Sequence, residues 1–406
     1  MKKHYRLLII SFLILNLFHW IIVVEGKYGI PEIFKYILSV LVIGIIIYYM
    51  IKNPFKPAPG DLFYPLIIFF VLWSIILLIF GVFGLRNVLL FKLTLADPFY
   101  FIPYLLPILL LFIKFDLDFF GNLFYYSFIF TIPAILVQLL IIFTSLSRDL
   151  WYEQLVAIKI FSVSSAFLLL TAHISSKRYT SIVIIGYYLI WVFLWSFYGR
   201  RGSLVNDLLL FVFMIIILLR TSFLRIQDRI KVYLSGLLLI LLIISFGYLF
   251  TSSYVYQRGF TKTAFEESRG TVIESFFLDF GSNKDLIFGR GINGAVLRSS
   301  YSNEQSYLIE NGFLTMLLKG GFLYVTPFII IILRAIYLGF FKSNNDLLKA
   351  LASYIFVYFV MMVSYNLPSF TTDYIFVWIS VTACFTASLR NHSDNEVYQA
   401  LNSRFK

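Results

Sequence analysis

Apolar runs of about 18 residues or more recur along the whole chain, separated by short polar segments, and this pattern dominates the sequence. At 1.5 Å per residue such a run crosses a hydrocarbon core of ~30 Å as a helix. A closed barrel would instead show alternating segments of about ten residues, unlike LVIGIIIYYM or SGLLLILLIISFGYLF. The pattern predicts an all-α polytopic membrane protein of about twelve spans. They fall near 7–24, 33–51, 62–80, 99–113, 121–144, 156–173, 181–198, 203–219, 232–250, 312–340, 350–366 and 374–389, the fourth being short. The opening run has a basic head but no small-residue cleavage site, so it is expected to stay as the first span.

The polar segments divide the chain into spans over 1–250, a long loop over 251–311, further spans over 312–389 and a tail over 390–406. MKKHYR, KNPFKPAPGD, KFDLDFFGN, HISSKRYTS, RTSFLRIQDRIK, KSNNDLLK and the tail hold most of the Lys and Arg outside the long loop. The positive-inside rule places them in the cytoplasm and sends YGRRG and the loop to the outer face. The loop carries SFFLDFG and DLIFGRGI, unlike a disordered linker, and a helix is expected over about 268–280.

Composition agrees: 60% of the 406 residues are hydrophobic, 20% aromatic and 13% charged. The formal charge of +12 is largely an orientation signal, and no nucleic-acid role follows from it. The single Cys384 lies in the last apolar run and excludes an intramolecular disulfide.

Candidate chemistry collects at the outer end. In YGRRGSLVND, taken as a helix start, Arg200, Ser203 and Asp207 share a face while Arg201 points elsewhere. The loop adds Arg269 and Arg290, among other cations. GRGING at 289–294 fits a dinucleotide fingerprint in letters only, because no βαβ unit surrounds it; tight turns that bring backbone close to another chain or an anion are expected. Ser302 and Gln305 have capping-box spacing, so a helix is expected from about 303, with Glu304, Tyr307, Glu310 and Asn311 along one stripe. Gly320-Gly321 allows a kink or close packing. Asp116 and Asp118 resemble a metal-carboxylate pair but lie on the cytoplasmic side, and the four scattered histidines suggest no zinc site.

Three segments, in order, resemble the O-antigen polymerase and ligase superfamily, the Wzy-type polysaccharide polymerases and their relatives. They are RRGSL at 200–204, Arg269 leading to GRGING, and Glu310-Asn311-Gly312-Phe313-Leu314 leading to Gly320-Gly321, with Glu310 in place of the family's histidine. The resemblance implies a membrane glycosyltransferase of the GT-C type that polymerises undecaprenyl-pyrophosphate-linked oligosaccharides at the bacterial inner membrane, with the long loop periplasmic. It implies no cofactor, and as partners the lipid-linked oligosaccharides, membrane lipid and a chain-length regulator. On this reading Arg201 and Arg269 bind the leaving pyrophosphate and Glu310 is the base. Arg200, Arg290, Glu304, Tyr307 and Asn311 contact substrate. A ligase passing glycan to another acceptor and a lipid-linked oligosaccharide flippase are the alternatives.

Overall fold

A computed structural model describes residues 5–12, 14–16, 33–54, 64–83, 97–144, 163–174, 178–198, 201–222, 269–299, 302–306, 308–363 and 367–403. The expected span at 232–250 and the loop up to 268 lie outside these residues, as do Arg200 and Tyr307.

Among the described residues the chain is mostly helical. After an apolar helix at Tyr5–Asn16 come α1 (Ile33–Lys52), α2 (Tyr64–Phe83), α3 (Ile102–Leu110), α4 (Leu117–Thr144), α5 (Val163–Thr171), α6 (Arg178–Tyr198) and α7 (Arg201–Ser222). The loop region contributes α8 (Arg269–Asp279), α9 (Asn283–Phe288) and a hairpin of β1 (Val296–Ser299) and β2 (Ser302–Ser306). The chain then forms α10 (Gly312–Phe341), α11 (Asp346–Met361), α12 (Thr372–Phe385), α13 (Ala387–Asn391) and α14 (Asp394–Asn402). Among the described residues, three helical stretches are long and apolar enough to cross a bilayer: Tyr64–Gly81, Gly202–Arg220 and Gly312–Phe341. The count of about twelve is thus reached only in part.

Helix ends follow their local chemistry. α10 starts where the Asn311 side chain accepts from the Leu314 N–H, and α11 where Asn345 accepts from the Leu348 N–H. The helix expected from about 303 is a strand instead: Val296 faces Ser306 and Leu297 faces Gln305 across the hairpin. Cross-strand pairing satisfies the backbone groups that the capping box was expected to serve. The stripe proposed for Glu304, Tyr307, Glu310 and Asn311 therefore fails, since Glu304 is on β2, Glu310 lies in a bend and Asn311 is a cap.

Helix packing uses small residues, as expected where lipid removes the hydrophobic drive between helices. A Cβ on Gly339 of α10 would stand 2.6 Å from the Ala352 Cβ of α11 and 3.0 Å from the Cys384 Sγ of α12. Polar links hold other pairs: the Thr382 hydroxyl donates to the Leu110 carbonyl, and the Thr372 hydroxyl to the Asn16 side chain.

Hydrogen bonds also fix which helix ends lie together. Gly312 N–H donates to Met362 O, and the Asn311 side chain to Val363 O, joining the start of α10 to the end of α11. Phe370 N–H donates to Pro98 O, and the Asn293 side chain to Gly81 O at the end of α2. At the opposite end Lys114 N–H donates to Asn53 O, Asn344 N–H to Arg390 O and the Asn402 side chain to Ile174 O. Arg220, ending α7, acts electrostatically on Asp394 there. The start of α7, with Arg201, consequently shares an end of the bundle with Glu310 and the 279–299 region.

Candidate functional site at the break in α10

The loop end is organised around an interruption in α10. Gly321 has φ 64° and ψ −170°, a conformation that favours glycine, and it divides the helix into a short first segment and a long second one. Interrupting the helix frees carbonyls that would otherwise accept from the next turn. The GRGING loop takes them: Arg290 N–H donates to Leu318 O at 2.7 Å and Gly291 N–H to Lys319 O at 3.0 Å. The Gly320 carbonyl accepts from the Trp73 indole of α2 at 3.0 Å.

Glycine is required on both sides of this contact. Gly289 has φ 72°, and a Cβ there would meet the Gly321 nitrogen at 2.6 Å and the Gly320 nitrogen at 2.7 Å. The glycines that mimic a nucleotide fingerprint thus serve a backbone-to-backbone clasp.

A second arrangement stiffens the loop from outside. The Arg290 guanidinium donates from Nε to Asp285 Oδ2 at 3.0 Å and from Nη1 to Asp279 Oδ2 at 2.7 Å. It also donates to the carbonyls of Ala295 and Asp279, and lies 5.2 Å from the centre of the Phe280 ring. Burial works against its charge, but the Asp279 and Asp285 hydrogen bonds outweigh that and raise its pKa above the ordinary arginine value. A ligand approaching Arg290 competes with two carboxylates for these donors.

Lys319 is the residue that sequence reasoning passed over. It ends the first segment of α10, is fully buried, and donates from Nζ to Gly294 O at 2.8 Å. Its ammonium stands 5.3 Å from the Tyr100 ring centre. The signal was a lone lysine inside MLLKGGFLYV, immediately before the glycine pair.

The remaining expected site residues are dispersed along this end. Glu310 is exposed beside the Asn311 cap. Arg201 and Arg269 open α7 and α8, and Glu304 is on β2, with their side chains outside the described part. Ser203 and Asp207 are both buried on α7, as their spacing suggests, and Asp207 accepts from the Asn206 amide at 3.0 Å. At the other end Asp116 accepts from the Tyr5 hydroxyl and the Phe119 N–H, which makes it a helix-capping group.

A family model described as "Serpentine type 7TM GPCR chemoreceptor Sru" matches residues 299–403, about a quarter of the chain. That stretch contains β2 and α10 through α14, including the break. No curated protein and no solved structure matches.

The match overturns the polymerase resemblance drawn from the three short motifs, together with its ligase and flippase alternatives. Glycosyl transfer, the lipid-linked oligosaccharide partners and the chain-length regulator are withdrawn with it. So are the roles of Glu310 as a base and of Arg201 and Arg269 as pyrophosphate ligands in that reaction. The GRGING and Gly320-Gly321 motifs have a structural explanation in the clasp, which accounts for them without that chemistry. The bacterial inner membrane and the periplasmic loop followed only from that resemblance and lose its support; the membrane character stands on the helices themselves.

Proposed function

We propose that the chain is a membrane receptor of the chemoreceptor type, which takes up a chemical stimulus at the clasped end of the bundle. The observation that carries this reading is the family match over 299–403, because it covers the broken α10 together with α11 and α12, two of the helices packed against it. On this account the chain crosses the bilayer several times, with Tyr64–Gly81, Gly202–Arg220 and Gly312–Phe341 among its spans. The segment 251–311 forms the stimulus-facing loop, flanked by the spans of 1–250 and 312–389, and 390–406 lies at the opposite end. Lys and Arg concentrated at that opposite end support a cytoplasmic position for it. Arg200, Arg201, Arg269, Glu304, Tyr307, Glu310 and Asn311 then supply a polar rim for ligand entry, rather than a catalytic set.

The matched family is one of G-protein-coupled receptors, and the test uses that property. The chain is reconstituted in nanodiscs with a heterotrimeric G protein and exposed to a panel of small water-soluble and volatile chemicals. At least one member should accelerate guanine-nucleotide exchange above empty discs. Exchange equal to that with empty discs across the panel contradicts the receptor reading.

A further inference from the structure

Polarity changes along the short helix α9. Ser282 caps its start by accepting from the Asp285 N–H, and Ser282, Asn283 and Lys284 are exposed there. The last turn exposes Ile287 and Phe288 instead, at 45% and 48%. Apolar side chains left half open in water forgo the gain of burial, so the surroundings of that turn decide what it faces.

Its neighbours fix its depth. The Phe288 ring lies 6.0 Å from the Trp73 ring of α2, which in turn stacks on Phe69 at 6.4 Å. The Ile287 carbonyl abuts Gly321, and the Trp73 indole donates to the Gly320 carbonyl, so α9 ends beside the break in α10. The apolar stretch of α2, Tyr64–Gly81, is long enough at 1.5 Å per residue to fill most of the hydrocarbon core. Gly81 therefore stands near the loop-side edge of the core, and Trp73, just over two turns earlier, lies ~12 Å deeper. The chain then climbs back along α2. Ile292 packs against Gly81, and the Asn293 amide donates to the Gly81 carbonyl.

Phe69 and Leu72 of α2 are exposed around the level of Trp73, as is Phe322, the residue after Gly321. The open face of the last turn of α9 is thus continuous with the open faces of two membrane spans.

We propose that α9 and the turn after it form a re-entrant hairpin whose apolar tip, Ile287 and Phe288, sits among lipid acyl chains in the loop-side leaflet. Backbone at that depth must be satisfied by protein, and here it is. The N–H groups of Leu286 and Gly289 donate to Ser282 O and Asp285 O, those of Arg290 and Gly291 to α10, and that of Gly294 to Gly291 O. The ionised groups flanking the turn are paired, Arg290 with Asp279 and Asp285, while Lys319 donates to Gly294 O. Lys284, at the polar start, extends its ammonium toward water. A second copy of the chain docked on so narrow a tip would leave the flanking faces of α2 and α10 open, whereas acyl chains cover all three.

The proposal rests on the membrane class of the fold and goes beyond the receptor reading, and its test reads depth alone. Spin labels at Phe288→Cys, Ile287→Cys, Leu72→Cys and Lys284→Cys are placed one at a time in the full chain in phosphatidylcholine liposomes. Each reports collisions with oxygen, which dissolves in acyl chains, and with a nickel chelate, which stays in water. The native Cys384 is buried and stays unlabelled. The oxygen-to-nickel ratio at Phe288→Cys should match that at Leu72→Cys and stand severalfold above that at Lys284→Cys. Ile287→Cys should agree with Phe288→Cys, which keeps the test decisive if loss of the Phe288–Trp73 contact disturbs one variant. Ratios at both tip positions equal to that at Lys284→Cys would put the tip in water and overturn the proposal. Low collision with both reagents would mean that protein covers the tip, and would overturn it as well.

Discussion

Gly321 shows how much a single backbone conformation carries. Its positive φ breaks α10, and a side chain there would also run into the Ile287 carbonyl. Gly321→Ala should therefore destabilise the fold by about 1–3 kcal/mol through strain alone. Gly44, in α1, faces nothing within 4 Å, and Gly44→Ala should be neutral or slightly stabilising by helix propensity. Thermal unfolding of both variants in the same detergent checks the contrast; equal midpoints would remove the special role of Gly321. The sequence signals the two glycine groups but not that they meet each other, because contact between residues 289–294 and 318–321 is a tertiary fact. Arg290 was legible as a cation of the loop, whereas its commitment to Asp279 and Asp285 depends on where α8 and α9 place those carboxylates.

Among the elements, apolar periodicity located helices well and their ends less well. α8 occupies Arg269–Asp279 as its pattern suggests, and α11 begins at Asp346, several residues before its apolar run. The early start comes from the Asn345 cap and from Asp346, whose N–H donates to Asp394. The β1–β2 hairpin was illegible because its sequence also satisfies a capping-box spacing, and only the cross-strand partner decides between the two. The capping box that does form is on α14, where the Ser393 N–H and hydroxyl donate to the Glu396 carboxylate at 2.7 and 3.0 Å. The Ser393 backbone and then its side chain, with a smaller contribution from His392, hold the Glu396 pKa below the ordinary carboxylate value. A carboxyl depressed in the folded state contributes stability above its unfolded pKa of about 4.3, and that contribution is lost as pH falls through the folded value. Asp394 acts in the opposite sense, since burial raises its pKa despite the Asp346 N–H. Comparison with Glu396→Gln isolates the cap. Amide exchange in α14 should quicken in acid in the native chain relative to that variant, and the same acid response in both would remove the cap from the account.

For the whole molecule, the helical membrane class was legible from the apolar pattern, because crossing a bilayer constrains length and composition together. Function was not legible in the same way. Three short motifs, each a few residues long, aligned with one family, while the longer match over 299–403, which contains the third of them, is to a different family. The clasp explains why glycines recur at the motif positions without glycosyl-transfer chemistry. The core contact among Tyr104, Tyr324 and Tyr374 was hidden for a different reason: they come from three helices and stand in apolar runs where nothing in the sequence marks them as neighbours.

The central claim is that the clasped loop and the Lys- and Arg-rich segments lie on opposite faces of a membrane. Sided cysteine labelling tests it most directly, since the native Cys384 is buried and gives little background. Lys284 in α9 and Asn344 between α10 and α11 are both exposed, so Lys284→Cys and Asn344→Cys report the two ends. In intact cells a membrane-impermeant maleimide should label Lys284→Cys and should reach Asn344→Cys only after permeabilisation. Labelling of both positions from the outside would contradict the account.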